Sequence, residues 1–213
     1  MGQEKQSQSK VIETRNIDIE AVKKLEENHN IIFKPNDGPQ TDFLAASERE
    51  VLYGGSAGGG KSYAMLADPL RYMGHPAFSG LLLRHTTEEL RELIFKSQEM
   101  YPKIWPGIKW SERKMQWTAP SGARLWMSYL DREDDVLRYQ GLAFSWIGFD
   151  ELTQWATPYA WNYMRSRLRS TAPDLPIFMR ATTNPGGRGH NWVKKMFIDP
   201  AVPNVTFDAT DIE

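Results

Sequence analysis

The chain has 213 residues, of which 40% are hydrophobic and 25% are charged, as is typical of a globular protein with one main domain. Its 26 lysines and arginines nearly balance its 27 acidic residues, and the net charge of −1 excludes a general basic field for nucleic acid. The lack of cysteine excludes disulfides, thiolate metal sites and thiol catalysis. The polar N-terminus has no apolar core of the kind found in signal peptides, which predicts an intracellular protein.

An N-terminal arm is predicted over residues 1–38, ahead of a main domain at 39–213. Its polar tail leads to a short helix that Asn16 or Asp18 can cap and that runs to about Glu27. The following segment, KPNDGPQ, contains two prolines and an Asp-Gly pair, which favour a turn. We therefore place the boundary between arm and domain in this segment.

Apolar runs alternate with helical patterns in the rest of the chain. Buried strands are predicted at 51–55, 80–84, 144–150 and 176–183, and a hairpin at 114–118 with 123–129. Helical segments are predicted at 61–73, 86–100, 131–138, 152–169 and 191–197. Thr86 and Glu89 form a capping-box pattern, and Pro69 should end or kink its helix. Strands alternating with helices predict an α/β fold around a mainly parallel sheet.

A phosphate-binding loop is predicted at 55–62, GSAGGGKS, which fits G-x-x-x-x-G-K-[ST] between a predicted strand and a helix. Glycines let backbone N–H groups approach a phosphate closely. Lys61 is predicted to reach the β- and γ-phosphates of ATP, and the Ser62 hydroxyl to ligate Mg²⁺. A flexible glycine turn is the alternative, but the match at every fixed position favours the phosphate loop. The remaining nucleotide-binding residues of the loop are Gly55, Ser56, Ala57, Gly58, Gly59 and Gly60.

An acidic pair, Asp150 and Glu151, ends the apolar strand predicted at 144–150. Ligands of α/β sheets bind at the carboxyl ends of strands, so Asp150 is predicted to hold Mg²⁺ through its water shell. Glu151 is then placed to orient and deprotonate an attacking water. The alternative is that the pair caps a helix at Leu152 through the helix dipole. With a phosphate loop in the same chain, an acid beside the metal ligand indicates hydrolysis.

A third polar cluster, Thr183 and Asn184, follows the strand predicted at 176–183. Either side chain could hydrogen-bond the γ-phosphate or the attacking water and so report hydrolysis to the rest of the chain. The alternative is that the sequence Asn-Pro-Gly-Gly is simply a turn.

Five segments in this order resemble the ATPase domain of the large terminase subunit of tailed phages: GPQTDFLAASEREVLYGGSAGGGKS, LLLRHTTEEL, YQGLAFSWIGFDELTQW, RSRLRS and RATTNPGGRGHNWVKKMFID. The resemblance runs from about Gly38 to Asp199. It implies a P-loop NTPase of the RecA/ASCE type, with a mainly parallel sheet flanked by helices, a β-hairpin insertion and an N-terminal helical arm. It also implies that Gln40 reads adenine and that Thr183 and Asn184 lie in the coupling motif.

The resemblance further implies a DNA-packaging motor. Its activity would be Mg²⁺-dependent ATP hydrolysis that drives double-stranded DNA into a procapsid in the host cytoplasm. Its partners would be the portal protein, the small terminase subunit and further copies of the chain in a ring, expected to be a pentamer. The family's C-terminal nuclease has no counterpart in these residues, so nuclease activity is not expected of this chain.

An arginine is expected to complete the site from elsewhere, because the loop lacks the arginine that some terminases carry there. The transition state of phosphoryl transfer needs a cation on its equatorial oxygens. A neighbouring subunit is the expected source, and Gln140 stands where some relatives have an arginine. The candidates are Arg138 and Arg84, followed by Arg165 and Arg167.

Two other functions fit the same motifs. A helicase-type translocase would use the same phosphate chemistry and would separate the strands of duplex DNA. A nucleotide-dependent assembly switch would bind ATP without motor output, and Glu151 disfavours it because a protein that only binds nucleotide needs no general base.

Overall fold

The structure, a computed structural model, describes residues 31–56 and 58–207. The chain divides into two compact units, residues 1–34 and 35–213. The helix predicted between Asn16 and Glu27 lies outside the described residues. Every element below belongs to the second unit.

The second unit alternates strands and helices along the chain. In order they are α1 (Pro39–Ala45), β1 (Glu50–Gly54), α2 (Lys61–Ala67), β2 (Ser79–Arg84), α3 (Thr87–Ile104), β3 (Lys109–Ser111), β4 (Gln116–Thr118), β5 (Arg124–Tyr129), β6 (Trp146–Phe149), α4 (Tyr159–Arg165), β7 (Phe178–Thr183) and α5 (His190–Val193). Short 3₁₀ segments lie at Asp68–Tyr72, Glu133–Tyr139 and Leu152–Gln154, and a π-helical turn at Lys194–Ile198. None of the helices in the described part of the chain is long and apolar enough to cross a bilayer.

The described strands form one sheet in the order β1-β7-β6-β2-β5-β4-β3. The first four neighbouring pairs in this order, β1–β7, β7–β6, β6–β2 and β2–β5, are parallel. The last two pairs, β5–β4 and β4–β3, are antiparallel. The predicted α/β fold with a mainly parallel sheet and a β-hairpin is therefore confirmed. Because β1, β7, β6 and β2 are neighbours that run parallel, the carboxyl ends of all four strands lie at one edge of the sheet.

The core forms on both faces of this sheet because strand side chains alternate between faces. One face packs its odd-numbered residues, among them Leu83 and Phe149, against Trp161 and Met164 of α4. On the other face, a Cβ atom at Gly148 would lie 2.8 Å from Sδ of Met65, so α2 packs closely over this strand. Strands β6 and β7 are buried along their whole length. The strand ends that carry the acidic pair and the threonines are consequently held rigidly.

Several predicted elements are confirmed and others are wrong. Thr86 and Glu89 form the capping box of α3, and α2 ends at Ala67, just before Pro69. The single helix predicted at 152–169 is wrong, because a 3₁₀ turn is followed by extended backbone at Trp155 and α4 begins only after Pro158. Proline disfavours helical backbone in the residue before it, which accounts for the break. Strand β3 and helix α1 were not predicted.

Candidate functional site

The glycine-rich loop connects β1 to α2, as predicted. Gly55, Gly58 and Gly60 have positive φ angles of 147°, 88° and 72°, which residues with side chains rarely adopt. The buried Lys61 turns its ammonium back over the loop, where Nζ donates to the carbonyl oxygens of Gly55 at 3.0 Å and of Ser56 at 2.7 Å. The loop thus holds a positive charge at its centre. Ala57 lies outside the described residues.

Gln40 fastens α1 to this loop. Its Nε2 donates to the carbonyl oxygen of Gly60 at 2.8 Å, and its Oε1 accepts from the backbone N–H of Asn36 at 2.6 Å. A Cβ atom at Gly60 would lie 2.5 Å from Gln40 Nε2, so the contact requires glycine at that position. Sequence reasoning assigned Gln40 to the nucleotide but missed this contact with the loop, and it missed Asn36. Tyr53 of β1 also donates its hydroxyl to the loop, at the carbonyl of Gly59.

Asp150 lies at the end of β6 and is almost fully buried, with 1% of its side chain exposed. Its Oδ1 accepts a hydrogen bond from the hydroxyl of Thr182, at the end of β7. Its Oδ2 accepts from Nη1 of Arg84, the last residue of β2. The two neighbouring strands thus each supply one donor to this carboxylate. Sequence reasoning missed Thr182, although it is part of the quoted ATTN segment.

Glu151 turns sharply away from the strand, because its backbone has the left-handed φ of 62°. Its N–H donates to Thr182 Oγ1 at 3.1 Å. Its carboxylate accepts from the backbone N–H of Asn184 at 3.1 Å and from Asn184 Nδ2 at 2.6 Å. Burial, and then the charge of Asp150, raise the pKa of Glu151 above the usual value for a glutamate, and nearby donors and cations oppose this only in part.

The loop after β7 is fastened to the turn after β6. Thr183 donates its hydroxyl to Thr153 Oγ1 at 2.8 Å, and the N–H of Gly189 donates to the carbonyl of Thr153 at 2.8 Å. Asn184 joins the two segments through Glu151, and its buried Oδ1 has no hydrogen-bond partner among the described residues. Both predicted polar clusters therefore belong to one site.

Arg84 extends this site to the start of α3. Its Nε lies 3.6 Å from Oε2 of Glu89, which also accepts from the N–H and hydroxyl of Thr86. The other carboxylate oxygen of Glu89 accepts from Gln154 Nε2 at 2.7 Å. Burial by itself would raise the pKa of Glu89, but the hydrogen bond from Gln154, the charge of Arg84 and the bonds from Thr86 together lower it.

The other candidate arginines contact residues outside this set. Arg138 lies on the 3₁₀ segment after β5, where 48% of its side chain is exposed and Nη2 donates to the carbonyl of Tyr129 at 2.7 Å. Arg165 pairs with Glu50 at 2.7 Å. Arg167 stacks over the ring of Tyr163 at 5.4 Å. Of the four candidates, Arg84 is the one that contacts Asp150 in its own chain.

The donor set at the strand ends fits Mg²⁺. Within the described ranges no group of three or more histidine, aspartate or glutamate side chains is arranged to hold a metal. Mg²⁺ usually binds through only one or two carboxylates plus phosphate oxygens and water. A buried carboxylate, Asp150, and a phosphate-type loop that ends in the hydroxyl of Ser62, both at the carboxyl ends of parallel strands, form a donor set of that kind.

The fold and these contacts define a P-loop ATPase-type domain. A glycine-rich loop follows β1, and the acidic pair follows β6, which is separated from β1 by β7. The sequence profile of the phage terminase large subunit family, Terminase_3, matches residues 47–211. The chain belongs to this family, as its motifs predicted. A comparison with curated proteins gave no match.

Solved structures of similar fold include the large terminase of a thermophilic bacteriophage, with a TM-score of 0.62 and 18% identity. That match covers 78% of this chain, which spans 43% of the thermophilic phage protein. The ATPase domain of the Thermus phage P74-26 large terminase matches with a TM-score of 0.54 and 14% identity, over 77% of this chain and 70% of that domain. The first of these terminases, in complex with ATP-gamma-S, matches with a TM-score of 0.56 and 16% identity, over 84% of this chain and 46% of that one. At these identities the likeness is one of fold.

Proposed function

We propose that the chain is the ATPase motor domain of a terminase large subunit, and that its ATP hydrolysis drives double-stranded DNA into a procapsid. The observation that carries the proposal is the meeting of Lys61 with its loop, Asp150 and Glu151 at one edge of the sheet. Membership of the terminase family supports the DNA-packaging role. The motor domain is residues 39–213, and the proposal includes no nuclease activity.

Binding of ATP uses the loop and its surroundings. The N–H groups of the loop and the ammonium of Lys61 receive the phosphates, and Gln40 holds the loop in shape and reads adenine. The ammonium exchanges the loop carbonyls for phosphate oxygens, which carry more negative charge. Ser62 and Asp150 would hold Mg²⁺, whose chemistry is to neutralise the negative charge that develops on the phosphates.

Hydrolysis relies on Glu151 as the general base. Burial and the neighbouring Asp150 raise its pKa, which makes its carboxylate a stronger base for the attacking water. Asn184 donates one hydrogen bond to each carboxylate oxygen, which fixes the carboxylate in place and leaves a further lone pair on each oxygen to accept from water. Thr183 and Asn184 thereby connect the state of the base to the loop that follows β7.

The cation for the transition state is proposed to be Arg138 of a neighbouring subunit. Its exposure on a turn after β5 leaves it accessible to a second copy of the chain. The assembled motor is a ring, expected to be a pentamer, in the host cytoplasm. It contacts the portal protein, the small terminase subunit and DNA.

The proposal is tested with two variants and their matched controls. Lys61→Ala should reduce both nucleotide binding and turnover to background, whereas Glu151→Gln should keep binding and slow turnover by about 10²–10⁴-fold. The glutamine can keep its contact, because the amide of Asn184 can flip and present its unpaired Oδ1. Lys103→Ala and Glu99→Gln, both at exposed positions of α3, are the controls. ATP turnover of Lys61→Ala within a few-fold of the unmodified chain would contradict the site.

Arg138 is tested by mixing subunits. Glu151→Gln subunits keep every arginine, and Arg138→Ala subunits keep their base, so a mixture that assembles should regain turnover that neither variant has alone. An arginine finger contributes about 10³–10⁵ in rate, so the recovery should be large. No recovery at any protein concentration would exclude Arg138 as the arginine supplied by the neighbour.

The two alternative functions are separated by DNA assays. A helicase-type translocase would displace a strand from duplex DNA, whereas a packaging motor would not. An assembly switch would change its oligomeric state with ATP and show no stimulation of turnover by DNA.

A further inference from the structure

Arg84 and Asp150 form an ion pair between adjacent strand ends. Leu83 pairs with Phe149 in the parallel β2–β6 register, so the residues that follow them lie side by side. The side chains of Arg84 and Asp150 are 13% and 1% exposed, which weakens the screening of their charges by water. Removing either partner would leave a charge with little solvation, so the pair should persist until another ion replaces one member.

A metal ion at Asp150 would compete with this ion pair. Both oxygens of the carboxylate already accept hydrogen bonds, one from Thr182 and one from Arg84. The hydroxyl of Thr182 is neutral and can remain beside a cation, whereas the guanidinium of Arg84 is permanently charged and repels it. A cation at Asp150 therefore favours withdrawal of Arg84, whether the metal binds the carboxylate directly or through its water shell.

A second acceptor for Arg84 is already within reach. Its Nε has no hydrogen-bond partner within residues 31–56 and 58–207 and lies 3.6 Å from Oε2 of Glu89. A small rotation would convert this contact into a charge-assisted hydrogen bond between side chains that are 13% and 31% exposed. Glu89 is itself held in place by Thr86 and Gln154, so it is a fixed acceptor.

We propose that Arg84 is a positioning residue that acts within its own subunit, pairing with Asp150 until the Mg²⁺-nucleotide arrives and then transferring to Glu89. This inference rests on the proposed function. Glu89 lies in the first turn of α3, and Gln154 lies in the turn that follows Glu151. Transfer of Arg84 would therefore report metal binding both to α3 and to the segment that carries the base. It would also assign Arg84 a role other than that of the finger.

The proposal is tested by titrating Mg²⁺ at a fixed concentration of a fluorescent ATP analogue and recording binding rather than turnover. Arg84→Met, which keeps the length of the side chain, should lower the Mg²⁺ midpoint at least about tenfold, because the metal no longer displaces a cation. Glu89→Gln should raise the midpoint, because Arg84 loses its second acceptor. Arg91→Met, at an exposed position of α3, should leave the midpoint unchanged.

Two results would overturn the proposal. The first is an unchanged midpoint in Arg84→Met. If nucleotide binding at saturating Mg²⁺ is also weaker in this variant, Arg84 contacts the nucleotide instead. The second is a shift of the Mg²⁺ midpoint that is equal in size and direction in Arg84→Met and Glu89→Gln, because a general loss of structure would produce that result. If Arg84→Met does not fold, Arg84→Lys decides, with an intermediate fall in the midpoint expected. Loss of nucleotide binding in Lys61→Ala shows in the same assay that the proposed nucleotide site is sound, so failure of the Arg84 variants alone would leave that site standing.

Discussion

Arg180 is a fully buried cation whose removal should destabilise the fold more than any surface change. It lies on β7, with Nε 3.4 Å from Oδ2 of Asp68. Nη1 donates to the carbonyl of Glu48 at 2.8 Å, and Nη2 to the carbonyl of Ala46 at 3.0 Å. Its guanidinium lies 4.3 Å from the centre of the Phe178 ring. Arg180 therefore ties the chain between α1 and β1 to β7, the strand next to the edge strand β1.

The expected loss follows from these contacts. Arg180→Met keeps the length and apolar packing of the side chain but removes one ion-pair partner of Asp68 and leaves two carbonyls without their donor. Breaking a buried pair costs about 3–5 kcal/mol. The lower end applies, because Asp68 keeps hydrogen bonds from Trp146 and Arg71. For a chain of this size, about 3 kcal/mol corresponds to a fall of roughly 6–12 °C in melting temperature.

Urea unfolding followed by circular dichroism measures the loss. Arg124→Met, at an exposed position of β5, is the matched control and should change the free energy of unfolding by less than about 0.5 kcal/mol. The double variant Asp68→Asn with Arg180→Met should lose less than the sum of the two single changes, because the partners interact directly. A loss below about 1 kcal/mol in Arg180→Met would refute the reasoning, because removal of one partner of a buried ion pair should destabilise the fold by more than this.

Three further predictions concern the site and α3. Gln40→Ala should weaken ATP binding by about tenfold in calorimetry, because the loop loses its hydrogen bond at Gly60; unchanged affinity would show that the contact is dispensable. The rate of ATP turnover should fall on acidification at a higher pH than an ordinary glutamate would give, because the pKa of Glu151 is raised and the base must be deprotonated. A pH–rate profile checks this. An acidic limb with its midpoint at the usual pKa of a glutamate would contradict it. Thr86→Ala should reduce the free energy of unfolding by about 1 kcal/mol through loss of the capping box. A melting curve identical to that of the unmodified chain would contradict this prediction.

Local signals accounted for much of the fold. The strands that became β1, β2, β6 and β7 are short apolar runs, and the capping box of α3 is a pattern of four consecutive residues. These signals depend on neighbours in the chain, so they can be read without knowing the tertiary structure. The prediction failed at 152–169, where helical spacing of apolar residues continued through Pro158 and suggested one helix. Leu152, Trp155, Trp161 and Met164 are buried in the core, and their spacing did not require continuous helical backbone.

The sequence by itself determined the kind of protein, because the residues that a phosphate-binding loop requires are contiguous in the chain, from Gly55 to Ser62. Only the tertiary structure decided which distant side chains meet there. Arg84 and Asp150 are 66 residues apart, and they pair because β2 lies beside β6. Spacing along the chain does not specify strand order, so the sequence offered Arg84 only as one of several arginines. The order of the strands placed it on the carboxylate of its own subunit.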